Sequence, residues 1–428
     1  MVYGSKRRAS AFRTPITNTS NAIGGKTMRS VSRLVQGSLL ACAIVAMPLA
    51  PAQAVTFNLI DIGGAAPGSL ARLGFDRAAS YWSSVLTDDV TINLQIGFQS
   101  LPPNVLGSTR SFSSILAVQD IYAGLAADAR TGVDTRAVAN LQSLGASQFG
   151  PGIGALSFRT SAYADPATNS GIDTSSTILD NDGGANNVFF DVNNANIKAL
   201  GFTTDSFGDP LGAIDGQILF SSDFRFDFNP FNGITTNSID FIAVATHEIG
   251  HALGFVSGVD TYDLLGGPNG PFAQKLVNGD FGTTDIGEFA IFSPLDLFRY
   301  SNVGPDLSVG TESFFSIDGG IPLFGNSGFS TGSFNGDGFQ ASHWKANLTC
   351  ANFLGILNPY ICDSTLGAVS GLDLAAFDAI GWDVNVDVLN NPNYIFDTRE
   401  ITRLTTVPEP TSWAMLITGF GLAGAMMR

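Results

Sequence analysis

Histidine is scarce in this chain. There are three in 428 residues, and two stand four apart in Thr246-His247-Glu248-Ile249-Gly250-His251-Ala252-Leu253-Gly254-Phe255. On an α-helix that spacing puts both imidazoles on one face, a turn apart, where they can share one tetrahedral Zn²⁺. Glu248 is the next residue round, placed to reach a water at such an ion as general base without being a ligand. The flanks suit a buried helix. Ser238 is a candidate N-cap, and Asp240 would fall in the first turn, where negative charge is favoured. Phe241, Ile242, Val244 and Ala245 are apolar, and Gly254 would end the helix. Gly250 costs about 1 kcal/mol relative to alanine inside a helix; close packing beneath the site is a reason to keep it. Polar residues at 247, 248 and 251, beside so apolar a stretch, are expensive to bury unless something satisfies them.

The length allows one large domain or two smaller ones. Hydrophobic residues make up 44% and charged residues 14%, enough for a sizeable core. Residues 55–407 carry 13 basic and 36 acidic side chains, which argues against nucleic acid as a partner. The acidic balance is compatible with bound Ca²⁺ without requiring it. Arg29 and Arg33 precede an apolar run from Leu34 to Leu49, and Ala52-Gln53-Ala54 follows as a small-x-small cleavage site. Residues 1–54 therefore read as an N-terminal extension and signal peptide, with Met28 a candidate start. The run is short for a membrane span. With Cys42 inside that signal, Cys350 and Cys362 are the cysteines left to the exported chain, and they are expected to form one disulfide.

Between these ends the pattern alternates between helix and strand. Phe75, Ala78, Ala79, Trp82, Val85 and Leu86 predict an amphipathic helix over about 70–86. Val90, Ile92, Leu94, Ile96 and Phe98 predict a strand, ended by Pro102-Pro103. Two helices are expected at 114–129 and 134–143, then a Gly/Asn/Asp-rich region. Its Asp180-Asn181-Asp182-Gly183-Gly184 reads as a turn, with Ca²⁺ the rival reading. Short and long strands are expected at 188–192 and 217–228. The expected fold class is α+β.

A catalytic zinc site needs three protein ligands and an open position. The compact metzincin pattern would place its third ligand three residues after Gly254, but Ser257 stands there. His343, in Ala341-Ser342-His343-Trp344-Lys345, is assigned instead. Asp260, Asp263 and Glu288 are the carboxylate alternatives. His247, Glu248, His251 and Gly254 at this spacing, then a long insertion, then Ser342-His343-Trp344-Lys345, together resemble the leishmanolysin-like metzincins. The resemblance covers about residues 70–383 and is specific at those two motifs. It implies a metzincin-like domain, taken as 55–383, with a sheet-and-helix subdomain above the metal and an irregular C-terminal subdomain below. It also implies a Met-turn, matched by Gly355-Ile356-Leu357-Asn358-Pro359, where Leu357 stands for the methionine. The expected disulfide would brace that turn, and Tyr360 is a candidate transition-state hydrogen-bond donor.

Ser370-Gly371-Leu372-Asp373 reads as a capping box opening a helix that Gly381 ends. The insertion 256–340 is expected as short strands and loops, and 384–406 as a linker. Residues 407–428, with Val407-Pro408-Glu409-Pro410, an apolar stretch and Arg428, resemble a PEP-CTERM sorting signal. That implies processing by an exosortase-type enzyme after signal peptidase, with only transient membrane contact. The expected function is a secreted or cell-surface bacterial zinc endopeptidase acting on protein or peptide substrates. The rivals are a non-catalytic exported surface or matrix protein on the same fold, and an acidic Ca²⁺-dependent adhesin.

Overall fold

The alternation read at 90–98 builds the centre of the main sheet. In the computed structural model, which describes residues 54–273, 285–346, 350 and 353–404, β1 (Thr56–Gly63), β2 (Thr91–Gln99), β3 (Gly107–Ser111) and β8 (Gly216–Ser221) form one sheet in the order β1-β2-β8-β3. β1 and β8 flank β2 in parallel, and β3 runs antiparallel along β8 as an edge. Ile92, Leu94 and Ile96 of β2 are fully buried. The apolar faces of two helices cover the sheet. The first, α1 (Leu70–Val85), is capped by the Ser69 hydroxyl, which accepts the Arg72 N–H at 3.0 Å. The second, α4 (Phe241–Leu253), carries the histidine pair. Phe75 packs edge-on against Phe220 and Phe241 at 5.0 and 5.2 Å; each such ring contributes about 1.5–3 kcal/mol by its burial. The Trp82 indole N–H donates to the Thr246 carbonyl at 3.1 Å, tying α1 to α4 one residue before His247.

With 29% helix and 27% strand in several open sheets, the chain is α+β, as its pattern predicted. Several boundaries differ. The helix expected at 114–129 begins later, as α2 (Val118–Asp128), because β4 (Ser113–Ala117) pairs with β7 (Phe189–Asn193). The next helix, α3, is Gly132–Ala139, earlier than expected because Thr131 and Asp134 form a capping box. A hairpin of β5 (Phe158–Asp165) and β6 (Ser170–Asp180) occupies the region read only as Gly/Asn/Asp-rich. The strand expected to reach 228 stops at Ser221, whose hydroxyl turns back to the Asp223 N–H; only Phe226–Asp227 resumes pairing. That short pair, with Ile239–Asp240, delays α4. Its N-cap is Asp240 rather than Ser238, accepting from the N–H groups of Ile242 and Ala243 at 3.0 and 3.2 Å.

The 256–340 stretch contains short strands, helical turns and loops, including a four-stranded antiparallel sheet spanning 299–329. Cys350 and Cys362 form the expected disulfide. The predicted capping box is present at Ser370 and Asp373 and opens α6 (Gly371–Ala379). Residues 384–404 are a correction: they are part of the fold, not a linker. Val384, Val388 and Ile401 are buried, Ile395–Asp397 pairs with Ala368–Ser370, and the Thr398 hydroxyl donates to Asp240 Oδ2 at 2.5 Å, completing the cap of α4. A polar composition concealed these few apolar anchors. The expected export signal before Ala54 and the sorting signal at 407–428 lie outside the described residues. Among those described, no helix is long and apolar enough to cross a membrane.

Candidate metal centre

His247 and His251 leave α4 on one face, and the segment ending the long insertion brings His343 up to them. The three Nε2 atoms lie 3.0 Å (247–251), 3.1 Å (251–343) and 3.3 Å (247–343) apart. Behind each ring is a backbone carbonyl. His247 Nδ1 lies 2.7 Å from the Ile356 oxygen, His251 Nδ1 2.7 Å from that of Phe255, and His343 Nδ1 3.3 Å from that of Gln340. A carbonyl only accepts, so each Nδ1 carries the proton and each Nε2 presents a lone pair. Three lone pairs facing one another repel unless a cation sits among them. Tetrahedral zinc, with bonds of about 2.0–2.1 Å, would set its nitrogens about 3.3–3.4 Å apart, close to the spacing found. The residues therefore fit a metal ion.

The electrostatics favour neutral rings at His251 and His343. Burial, then the charge of His247, pushes the His251 pKa down to about 3. Burial, then its two neighbours, lowers that of His343 well below the usual range. Neutral imidazole is the ligating form. Glu248 is raised by burial, against the opposing charge of His247 and a hydrogen bond from Thr109. The Thr109 hydroxyl, in edge strand β3, lies 2.7 Å from Glu248 Oε2 and 2.9 Å from its backbone carbonyl. Thr109 escaped the sequence reading, since nothing local in Gly107-Ser108-Thr109-Arg110-Ser111 marks it.

The floor of the site is Leu357, fully buried. A methyl on Gly250 would lie 3.3 Å from both Leu357 δ-carbons and 3.4 Å from the Phe377 ring, so the helix packs tightly there. Asp373 braces this floor. Its carboxylate accepts from the Trp344 indole at 2.8 Å, from Ile356 N–H at 2.8 Å and from Leu357 N–H at 3.3 Å, besides closing the capping box. One acid thus holds the neighbour of His343 and the peptide whose carbonyl orients His247. Gly355 makes room for it: a Cβ there would sit 2.1 Å from Asp373 Oδ2.

The three carboxylate alternatives are placed elsewhere. Asp260 is engaged by the backbone of Ala341 and Ser342, Asp263 by that of Phe334 and Asn335, and Glu288 is exposed. The Tyr360 hydroxyl makes no hydrogen bond among the described residues, and its ring lies against Phe339 and Phe353. The 180–184 loop is held as a turn, with Asp182 Oδ1 accepting from Gly184 N–H at 2.7 Å. No protein-family model, curated protein or solved structure matches the chain.

Proposed function

We propose that this chain is an exported zinc-dependent endopeptidase of metzincin type. The observation that carries the reading is the convergence of three Nε2 lone pairs beside a buried glutamate. His247, His251 and His343 would hold the ion. Zinc so held supplies Lewis acidity, drawing the pKa of a water toward about 7 and stabilising charge on a carbonyl oxygen. Glu248 takes the proton of the attacking water and passes it to the leaving amine. Thr109 holds Oε2, which leaves Oε1 to carry that proton. Glycine at 107 keeps Oε1 approachable, because a methyl there would lie 2.6 Å from it. β3 is an edge strand beside Glu248, so its open side can take an extended peptide as a further strand.

Glu248→Gln tests the reading. Zinc content should stay stoichiometric while cleavage of casein falls at least about a thousandfold, the scale of losing a proton-transfer group and more. A variant that cleaves as fast as the parent removes the mechanism. A parent that holds zinc but clears no zymogram, with or without chelator, leaves the non-catalytic exported module as the reading.

A further inference from the structure

His343 lies 92 residues beyond His251, on a turn-and-bend segment rather than a helix. Its ring nevertheless stands 3.1 Å from His251 Nε2. The means of delivery lies two residues earlier. Asp260, in α5 (Val259–Leu265), accepts the Ala341 N–H through Oδ1 at 2.6 Å. Its Oδ2 accepts the Ser342 N–H at 3.1 Å and the Ser342 hydroxyl. From the other side Arg299 Nη1 donates to the Ala341 carbonyl at 3.2 Å, while Nη2 donates to that of Ser330 at 2.6 Å. The guanidinium lies over the Phe329 ring, 4.5 Å from its centroid. Residue 341 is thus gripped at its N–H by an acid and at its C=O by a base. Both are sequestered, with Asp260 5% and Arg299 1% exposed, so neither is free to exchange its partner for water. The Ser342 hydroxyl also accepts the Ser257 N–H at 2.9 Å. Ser257 is six residues past His251, so the grip registers the third histidine against the exit of the helix that carries the other two.

We propose that Asp260 and Arg299 are positioning residues for the third metal ligand, setting metal affinity through the Ala341 peptide and the ring of His343. The inference rests on reading the three histidines as a metal site, but not on proteolysis. Asp260, a candidate ligand on sequence grounds, acts one step back from the ion: its oxygens are taken up by backbone and hydroxyl donors. Partners that orient a ligand typically matter by about 10- to 100-fold in metal affinity.

The test uses the full chain with Co²⁺ alone, read by its visible d–d absorption, and Zn²⁺ alone, read by competition with a chromogenic chelator. Wild type, Asp260→Asn, His343→Ala and the double variant are compared. Asp260→Asn should weaken both ions about 10- to 100-fold and move the Co²⁺ spectrum toward that of His343→Ala. In the double variant Asp260→Asn should add nothing to the loss from His343→Ala, because its effect passes through that ring alone. Arg299→Lys, which keeps the charge but lacks the two-pronged fork, should behave like Asp260→Asn. If Asp260→Asn fails to fold by circular dichroism, Ser342→Ala carries the same cycle, with an expected loss of about 3- to 10-fold, at the low end of such effects. A wild-type spectrum and affinity in the folded Asp260 or Ser342 variant overturns the proposal, as does a double variant in which both losses add in full. Wild type that binds neither ion removes the metal-site reading first, and this inference with it.

Discussion

His247, His251 and His343 in one place, and Asp88, Asp128 and Asp383 in another, each bring one ligand-type atom per residue within 4.8 Å of the rest. The two clusters are held in opposite ways. Each imidazole is fixed from behind by a carbonyl, so its lone pair is committed forward. The acids keep their counter-charge within the chain. Arg130 contacts Asp383 directly and lies 3.8 Å from Asp128, and Asp88 accepts the Asp383 N–H at 3.2 Å. Burial, then the charge of Asp383, pushes Asp88 and Asp128 up to about 7, so these acids can also shed charge by taking up protons. Proximity is common to both clusters. What differs is whether the surroundings leave the facing atoms any internal remedy, and only the histidines have none.

The largest expected effect breaks the comparison at the histidines. His251→Ala should abolish stoichiometric zinc by metal analysis, and the parent's thermal midpoint should drop on chelation to that of the variant. A ligand at a thousand times its dissociation constant stabilises by about 4 kcal/mol. Asp88→Asn should leave zinc stoichiometry unchanged; a loss of zinc in that variant would mean that the two clusters are not independent.

A smaller effect sharpens the acidic side. A carboxyl whose folded pKa exceeds its unfolded value binds more protons when folded, so its stabilising contribution is complete below the unfolded pKa and is lost as pH rises through the folded one. For Asp88 and Asp128 that window runs from the ordinary carboxylate range near 3.8 up to about 7. Unfolding free energy, followed by urea titration, should therefore fall across it. Asp88→Asn should flatten the slope and exceed the parent at pH 8 by on the order of 1–2 kcal/mol. A parent whose stability climbs across the same window contradicts the assignment. The smallest effect concerns the floor of the histidine site. Leu357→Met conserves volume and should change stability by under about 1.5 kcal/mol, with zinc retained. A larger loss would mean that the branched side chain is specifically required against Gly250.

The parts of the fold that could be read from the chain are chiefly those whose hydrogen bonds close locally. α1, the capping box at Ser370 and Asp373, and the stop at Gly254 all depend on neighbours a few residues away; the strand at 91–99 was legible for another reason, its side-chain alternation, although its pairing partners lie far off in the chain. The β5–β6 hairpin was missed because Ser and Thr replace apolar residues along much of β6. Its signal lay in the turn residues Asp165-Pro166-Ala167-Thr168-Asn169-Ser170-Gly171, with Asn169 at φ 50°. Residues 384–404 were misread because three buried side chains, rather than average composition, anchor them. At the site, scarcity singled out His343, but no local pattern marks Thr109 as the partner of Glu248 or Asp260 as the grip on residue 341.

The sequence by itself determined the donor set: two imidazoles and an acid on one helical turn, a single further histidine, and two cysteines to join. Helical periodicity and residue chemistry are enough for that, since both are properties of short stretches. Only the tertiary structure decided which nitrogens face one another, which carbonyls orient them, and that Asp260, Asp373 and Thr109 support the site from outside it. Those choices are made between residues tens to more than a hundred positions apart. They depend on burial, which removes water as the competing partner and leaves each polar group only the neighbours the fold provides.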